Sequence, residues 1–210
     1  MFEVGLRVSV GRAGAVVLGL LLAGFGVTGW PSEEEAAAAV EKAEELEAAA
    51  AEGEPATEAI EAEEAEAVDP EGQAPLDDAL TCLARTVYWE AKGEDLPGME
   101  AVANVVMNRL AGDGFPDTIC GVVTEGRPEG PCQFSWWCDG NPLDVEEADR
   151  YELTMDVARR ALNQELEDRT KGALYFHAEG LSPDWAEVYE PTVTEGGHVF
   201  YRVAEASPSN

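Results

Sequence analysis

The stretch Leu83-Ala-Arg-Thr-Val-Tyr-Trp-Glu-Ala-Lys-Gly-Glu94, followed shortly by Gly98-Met-Glu-Ala-Val-Ala-Asn-Val-Val-Met-Asn-Arg109, decides how this chain is read. Leu76, Leu80, Leu83, Ala84, Val87, Tyr88 and Ala91 recur at helical spacing, with Asp77 or Asp78 placed to cap the start and Gly93 to end it. Pro97 stands where a first-turn proline belongs, and Ala101, Val102, Val105, Val106 and Leu110 mark a second amphipathic helix stopped at Gly112-Asp-Gly. The two helices are expected to pack together. Glu90 falls in the last turn of the first, flanked by Tyr88 and Trp89.

Outward from this pair, Phe115-Pro-Asp-Thr-Ile-Cys-Gly-Val-Val reads as a short helix with Asp117 or Thr118 near its cap. A turn-rich stretch, Glu125-Gly-Arg-Pro-Glu-Gly-Pro, leads into a loop carrying Cys132-Gln-Phe-Ser-Trp-Trp-Cys-Asp-Gly140. Val145, Ala148, Tyr151, Met155, Ala158 and Leu162 predict a longer helix, and Ala173–His177 and His198–Tyr201 read as short strands. The fold class is therefore α+β and mostly helical, in a single domain over residues 76–204 with a short tail at 205–210.

Two segments precede it. Arg7 and Arg12 stand before an uncharged run, Ala13 to Trp30, in the basic-then-apolar order of a signal peptide or retained anchor, so residues 1–30 predict export. Residues 31–75 are nearly all Glu and Ala, with sixteen acids against one lysine over residues 33–71. Such a tract is expected to form no core and to serve as an acidic linker, helical over Glu33–Ala51 and more disordered beyond Gly53. The whole chain carries a formal charge of −30, which repels phosphate backbones and anionic lipid. No nucleic-acid partner is expected, and membrane contact only through the N-terminal segment. So acidic a surface suits a salt-rich milieu or solubility beside a polymer.

The chemistry of Glu90 follows from its place. Cleaving a glycosidic bond requires a carboxyl group that stays protonated near neutral pH. The negative end of the helix dipole and the apolar surface of Tyr88 and Trp89 both push the pKa of Glu90 upwards. Glu94 is a supporting acid, and Asp139 and Glu179 are further carboxylates open to a second role. A groove for sugar rings needs aromatic faces and amide or hydroxyl partners, which Gln133, Ser135, Trp136, Asp139, Tyr175 and His177 offer. Asn104 and Asn108, one turn apart, suit packing better than ligand binding, and His198 in its apolar run suits a structural role.

Four cysteines, Cys82, Cys120, Cys132 and Cys138, are expected to oxidise in an exported chain. Three pairings are open, with Cys132–Cys138 plus Cys82–Cys120 preferred. A thiol peptidase is disfavoured by that even count. A zinc amidase is disfavoured because His177 and His198 are the only histidines and no metal-ligand spacing is present. Neither a metal nor another cofactor is expected.

Five blocks in order, Glu-Ala-Lys-Gly-Glu, Ala-Val-Ala-Asn-Val-Val-Met-Asn-Arg, Phe-Pro-Asp-Thr-Ile-Cys-Gly-Val-Val, Cys-Gln-Phe-Ser-Trp-Trp-Cys-Asp-Gly and Gly-Ala-Leu-Tyr-Phe-His, resemble the SleB/CwlJ cell wall hydrolases across about residues 80–202. The resemblance implies a lysozyme-like or lytic-transglycosylase-like fold, peptidoglycan as substrate and a single-glutamate reaction. An exported enzyme of the cell envelope, acting as a monomer, is the expectation; a non-catalytic peptidoglycan-binding module of the same fold is the alternative. The sequence departs from the family at Thr194-Glu-Gly-Gly-His198, where relatives tend towards Ile-Gly-Asn-His, leaving open the local roles of Glu195 and Gly197.

Overall fold

The computed structural model describes residues 32–126, 132–139 and 144–204. The signal or anchor reading of residues 1–30 and the tail at 205–210 lie outside the described residues. Seven α-helices are described, α1 (Glu33–Glu52), α2 (Ala62–Val68), α3 (Ala79–Ala91), α4 (Leu96–Leu110), α5 (Ile119–Val123), α6 (Ser135–Cys138) and α7 (Ala148–Leu162). Strands β1 (Tyr175–Ala178), β2 (Glu190–Glu195) and β3 (His198–Arg202) follow, with one 3-10 turn at Asp184–Glu187. This is the mostly helical α+β arrangement the periodicity predicts.

Helix α3 is the axis of the fold. Eleven of its 13 residues are buried, and the two that are not are Trp89 and Glu90. A helix apolar all round must be wrapped on every side, and α4, α5, α7 and α1 do so. Asp78 caps it by accepting the Thr81 N–H at 2.8 Å. Its one internal charge, Arg85, is 1% exposed and answered by Asp69 at 2.7 Å, with Tyr151 bonded to the same carboxylate at 2.6 Å. Asp95 and Thr118 cap α4 and α5, and Cys82 is disulfide-bonded to Cys120, tying α3 to α5.

The acidic tract departs from the expectation of a linker without a core. Ala39, Ala43 and Leu46 form one buried face of α1, and Ile60 and Ala65 are buried with them. The small alanines let α1 approach closely, while the glutamates occupy the other faces. Asn163 then clamps the connection, accepting the Ile60 N–H at 2.9 Å and donating to the Ile60 carbonyl at 3.0 Å. Lys42, the tract's one lysine, pairs with Glu64 at 2.8 Å. Among the described residues no helix is long and apolar enough to cross a membrane.

The strands form an antiparallel sheet in the order β1-β3-β2. Strand β2 was not expected from the sequence: Pro191 interrupts its pattern, which is tolerated because β2 lies at an edge and is irregular between Pro191 and Val193. The β2–β3 turn is Gly196-Gly197, with φ of +51° and +69°, the left-handed pair a two-residue hairpin demands. A Cβ at Gly196 would collide with the Cα of Gly98, so backbone meets backbone where the sheet rests on α4. The departure at Gly197 is thereby explained: the position needs positive φ, which glycine and asparagine both supply.

Candidate active site

Glu90 reaches the site because the last turn of α3 emerges there from the core. Tyr88 is fully buried, and its hydroxyl accepts the N–H groups of Glu146 and Glu147 at 3.1 and 3.0 Å, fixing the turn against the start of α7. Trp89 packs edge-on to Tyr88, with the Lys92 ammonium 4.6 Å above its ring centre. Facing Glu90 is the loop closed by the Cys132–Cys138 disulfide. Its alternate residues Phe134 and Trp136 are buried and anchor the loop, leaving Gln133, Ser135 and Asp139 exposed.

The carboxyl group of Glu90 is pushed up to about 7, chiefly because burial disfavours its charged form. The Ser135 backbone N–H opposes the shift, the charge of Asp139 adds to it, and the charge of Arg109 works against it. A carboxyl poised this way is half protonated near neutrality, so it can give up a proton and take one back.

Arg109 is the residue sequence reasoning passed over. It ends the Met-Asn-Arg block and is 2% exposed, with Nε donating to the Leu174 carbonyl at 2.8 Å. Its guanidinium lies 5.0 Å from the ring centre of Phe134, 5.6 Å from Phe115 and 5.7 Å from Tyr175. Burial lowers its pKa to about 10, against the charges of Glu125, Tyr175 and Glu90. It lines a groove of about 340 Å³ with Gln133, Tyr175, Phe176, Trp185 and Tyr189. Tyr175 and Tyr189 stack at 4.2 Å, and Trp185 stands 6.1 Å from each. Trp185 and Tyr189 were also missed, since neither belongs to a periodic element.

The other expected site residues divide. Gln133 and Tyr175 line the groove, while Ser135 and Asp139 act on Glu90 as described. His177 stands beside Trp185, its ring nitrogens engaged with the Tyr201 hydroxyl at 2.9 Å and the Ala178 carbonyl at 3.0 Å. Trp136 requires a correction: at 5% exposure it is a core plug, because the alternation along the loop turns it inward, and the half-exposed neighbour is Trp137. Glu94 is separated from Glu90 by the break between α3 and α4. Its side chain lies beside Gly197, and Arg150 donates to its carbonyl and to that of Lys92. Glu179 is exposed and its N–H donates to the Gly197 carbonyl. Asn104 and Asn108 hold the segment before β1, Asn104 by accepting the Arg169 N–H and Asn108 by donating to Thr170 and Ala173. His198 is buried, with its ring edge-on to Phe176.

The domain is thus a mostly helical α+β unit that sets a carboxyl of raised pKa within reach of the charge of the groove residue Arg109. The chain belongs to the Cell Wall Hydrolase family, whose profile matches residues 93–201 and so begins just beyond Glu90. It is similar to the spore cortex-lytic enzyme of Halalkalibacterium halodurans, 32% identical over 127 residues, covering 59% of this chain and 34% of that protein. The spore cortex-lytic enzyme of Oceanobacillus iheyensis is 33% identical over 134 residues, covering 62% and 43%. The chain thus spans less than half the length of these curated relatives. Among solved structures it is similar to the catalytic domain of the Bacillus cereus SleB protein, at 29% identity and a TM-score of 0.46 over 59% of this chain and 89% of that one. The catalytic domain of the germination-specific lytic transglycosylase SleB from Bacillus anthracis gives 28% identity and a TM-score of 0.47 over 62% and 98%.

Proposed function

We propose that this protein cleaves the glycan strands of peptidoglycan, with Glu90 as its single general acid and base. The carrying observation is the Glu90 carboxyl, half-buried at the end of α3 and raised to about 7 near an aromatic groove. Family membership supports the substrate class, as do the curated relatives, which are spore cortex-lytic enzymes.

In this reading protonated Glu90 gives its proton to the glycosidic oxygen as the bond to the anomeric carbon breaks. The carboxylate left behind is stabilised by the Ser135 N–H and by Arg109, both of which favour its charged form. It then takes the proton of the muramic 6-hydroxyl as that oxygen bonds to the anomeric carbon. A 1,6-anhydro end results and no water is consumed. Asp139 is the one carboxylate among the described residues whose charge bears on Glu90, and it is exposed. It supplies the second reading, in which it activates water and the products carry reducing ends.

The basic-then-apolar order of residues 7–30 supports export to the envelope, where the protein acts as a monomer and any membrane contact is through that segment. Mass spectrometry of sacculi digested by the full chain tests the proposal. Anhydromuramic ends are expected; reducing muramic ends would replace the single-acid route by hydrolysis, and intact sacculi would leave only a wall-binding module.

A further inference from the structure

Trp185 differs from the tyrosines beside it in the groove. It comes half-buried from the 3-10 turn Asp184–Glu187 and lines the groove together with Gln133, Tyr175 and Tyr189. Tyr175 and Tyr189 lie nearly parallel, 17° apart, so each covers one face of the other. The four rings around Trp185 all meet it at an angle: Tyr175 at 47°, Tyr189 at 60°, His177 at 68° and Tyr201 at 81°. Among the described residues no ring stacks flat on the indole. The indole is nonetheless held in place. The N–H groups of Ala186 and Val188 close its turn on the Pro183 and Trp185 carbonyls at 2.9 and 3.0 Å. His177 and Tyr201, whose ring centres stand 5.6 and 5.5 Å from that of Trp185, are joined to each other by a 2.9 Å hydrogen bond.

A flat apolar face fixed in advance at a groove wall suits a ligand that is itself flat and apolar on its faces, because little side-chain freedom is lost when the two meet. A pyranose ring of the gluco series is such a ligand: its hydroxyls stand around the rim and its C–H bonds cover both faces. Those hydrogens are weakly positive, and the face of an indole is negative. The rim needs polar partners, and the exposed side-chain amide of Gln133 in the same groove offers both a donor and an acceptor. Arg109 also lines this groove and its charge bears on Glu90, so groove and acid adjoin. We propose that Trp185 is the stacking platform for one pyranose ring of a wall glycan, with the Gln133 amide at the rim of that ring. The inference rests on the reading that the protein cleaves wall glycan, and it names the residue that holds a sugar beside the acid.

Binding of peptide-free wall glycan strands to the full chain carrying Glu90→Gln tests the platform. Adding Trp185→Leu, which keeps apolar bulk and removes the flat face, should weaken binding roughly tenfold, while adding Trp185→Phe should keep it within about threefold. Melting temperatures close to that of the parent separate a lost contact from a lost fold. Should Trp185→Leu fail to fold, indole emission reads the same contact: saturating glycan should shield the parent from acrylamide more than it shields the Trp185→Phe protein. Binding that Trp185→Leu leaves unchanged, or equal shielding of the two proteins, overturns the platform. No binding by the parent overturns the glycan reading and the platform with it. New chain ends released by the parent would instead place the acid elsewhere, while the ratio between the Leu and Phe variants still reports on Trp185.

Discussion

The backbone N–H of Ser135 faces the carboxyl group of Glu90 and favours its charged form, so the disulfide-closed loop and the last turn of α3 meet at the acid. That N–H favours the carboxylate, while burial favours the acid. Burial is the larger effect, and the group settles near neutrality, where either state is within reach.

The pH dependence follows from that balance. The acid must be protonated before it acts, so activity should fall as pH rises through about 7. The same shift bears on stability. A folded-state pKa of about 7 against an ordinary 4.5 means the native state holds its proton more tightly, and stability is lost between those values as pH rises. Glutamine does not ionise, so Glu90→Gln should stabilise the protein at pH 8 by up to about 3 kcal/mol and have little effect at pH 4. Urea unfolding at the two pH values checks the sign.

The two disulfides should separate stability from activity. Cys82–Cys120 closes 38 residues across the core, so replacing both cysteines with serine should cost about 4 kcal/mol in the chain-entropy account. Cys132–Cys138 spans only six positions and holds Ser135 against Glu90. The same replacement there should lower turnover more than it lowers the melting temperature, as paired activity and calorimetry measurements would show.

Asp69 should prove indispensable to folding although it lies in the acidic tract. Burial works to raise its pKa, but the Tyr151 hydroxyl, the Ala74 N–H and Arg85 together outweigh burial and lower it. Its stabilising effect is therefore present above the ordinary carboxylate range and lost as pH falls through the lowered value. Asp69→Ala removes the carboxylate that answers the buried Arg85 charge and should cost about 3–5 kcal/mol at pH 7. Denaturation of the variant at pH 7 and at pH 3 should show the difference shrinking in acid.

The tract's apolar face gives a further expectation. Leu46→Ala and Ile60→Ala should each cost about 2–4 kcal/mol, where a solvated linker would tolerate either. Residues 75–210 alone should melt well below the full chain. Thermal unfolding of the three proteins against the wild type decides between a packed strap and a spacer.

Much of this was legible in the sequence because local and global signals agree there. The apolar run of α3, its Asp78 cap and the Pro97 start of α4 each name their structure. What stayed hidden was what looks alike in sequence and differs in contact. Asp69 reads as one of many acids, and Ala39 and Ala43 read as helix formers until the surface they touch is known. Arg109 reads as a polar helix end, because only the later strand and the Phe134 loop bury it. In the site, Glu90 could be singled out from its helix end and aromatic flank. Trp136 and Trp137 could not be assigned to core or groove without the alternation of the loop.

Turbidity loss of purified peptidoglycan with the full chain, wild type against Glu90→Gln with wall binding measured in the same buffer, reads the role of Glu90 as the acid. A drop of at least about a hundredfold in rate with binding retained is expected, since glutamine preserves shape and removes the proton. Equal rates in the two proteins would contradict it and place the acid elsewhere.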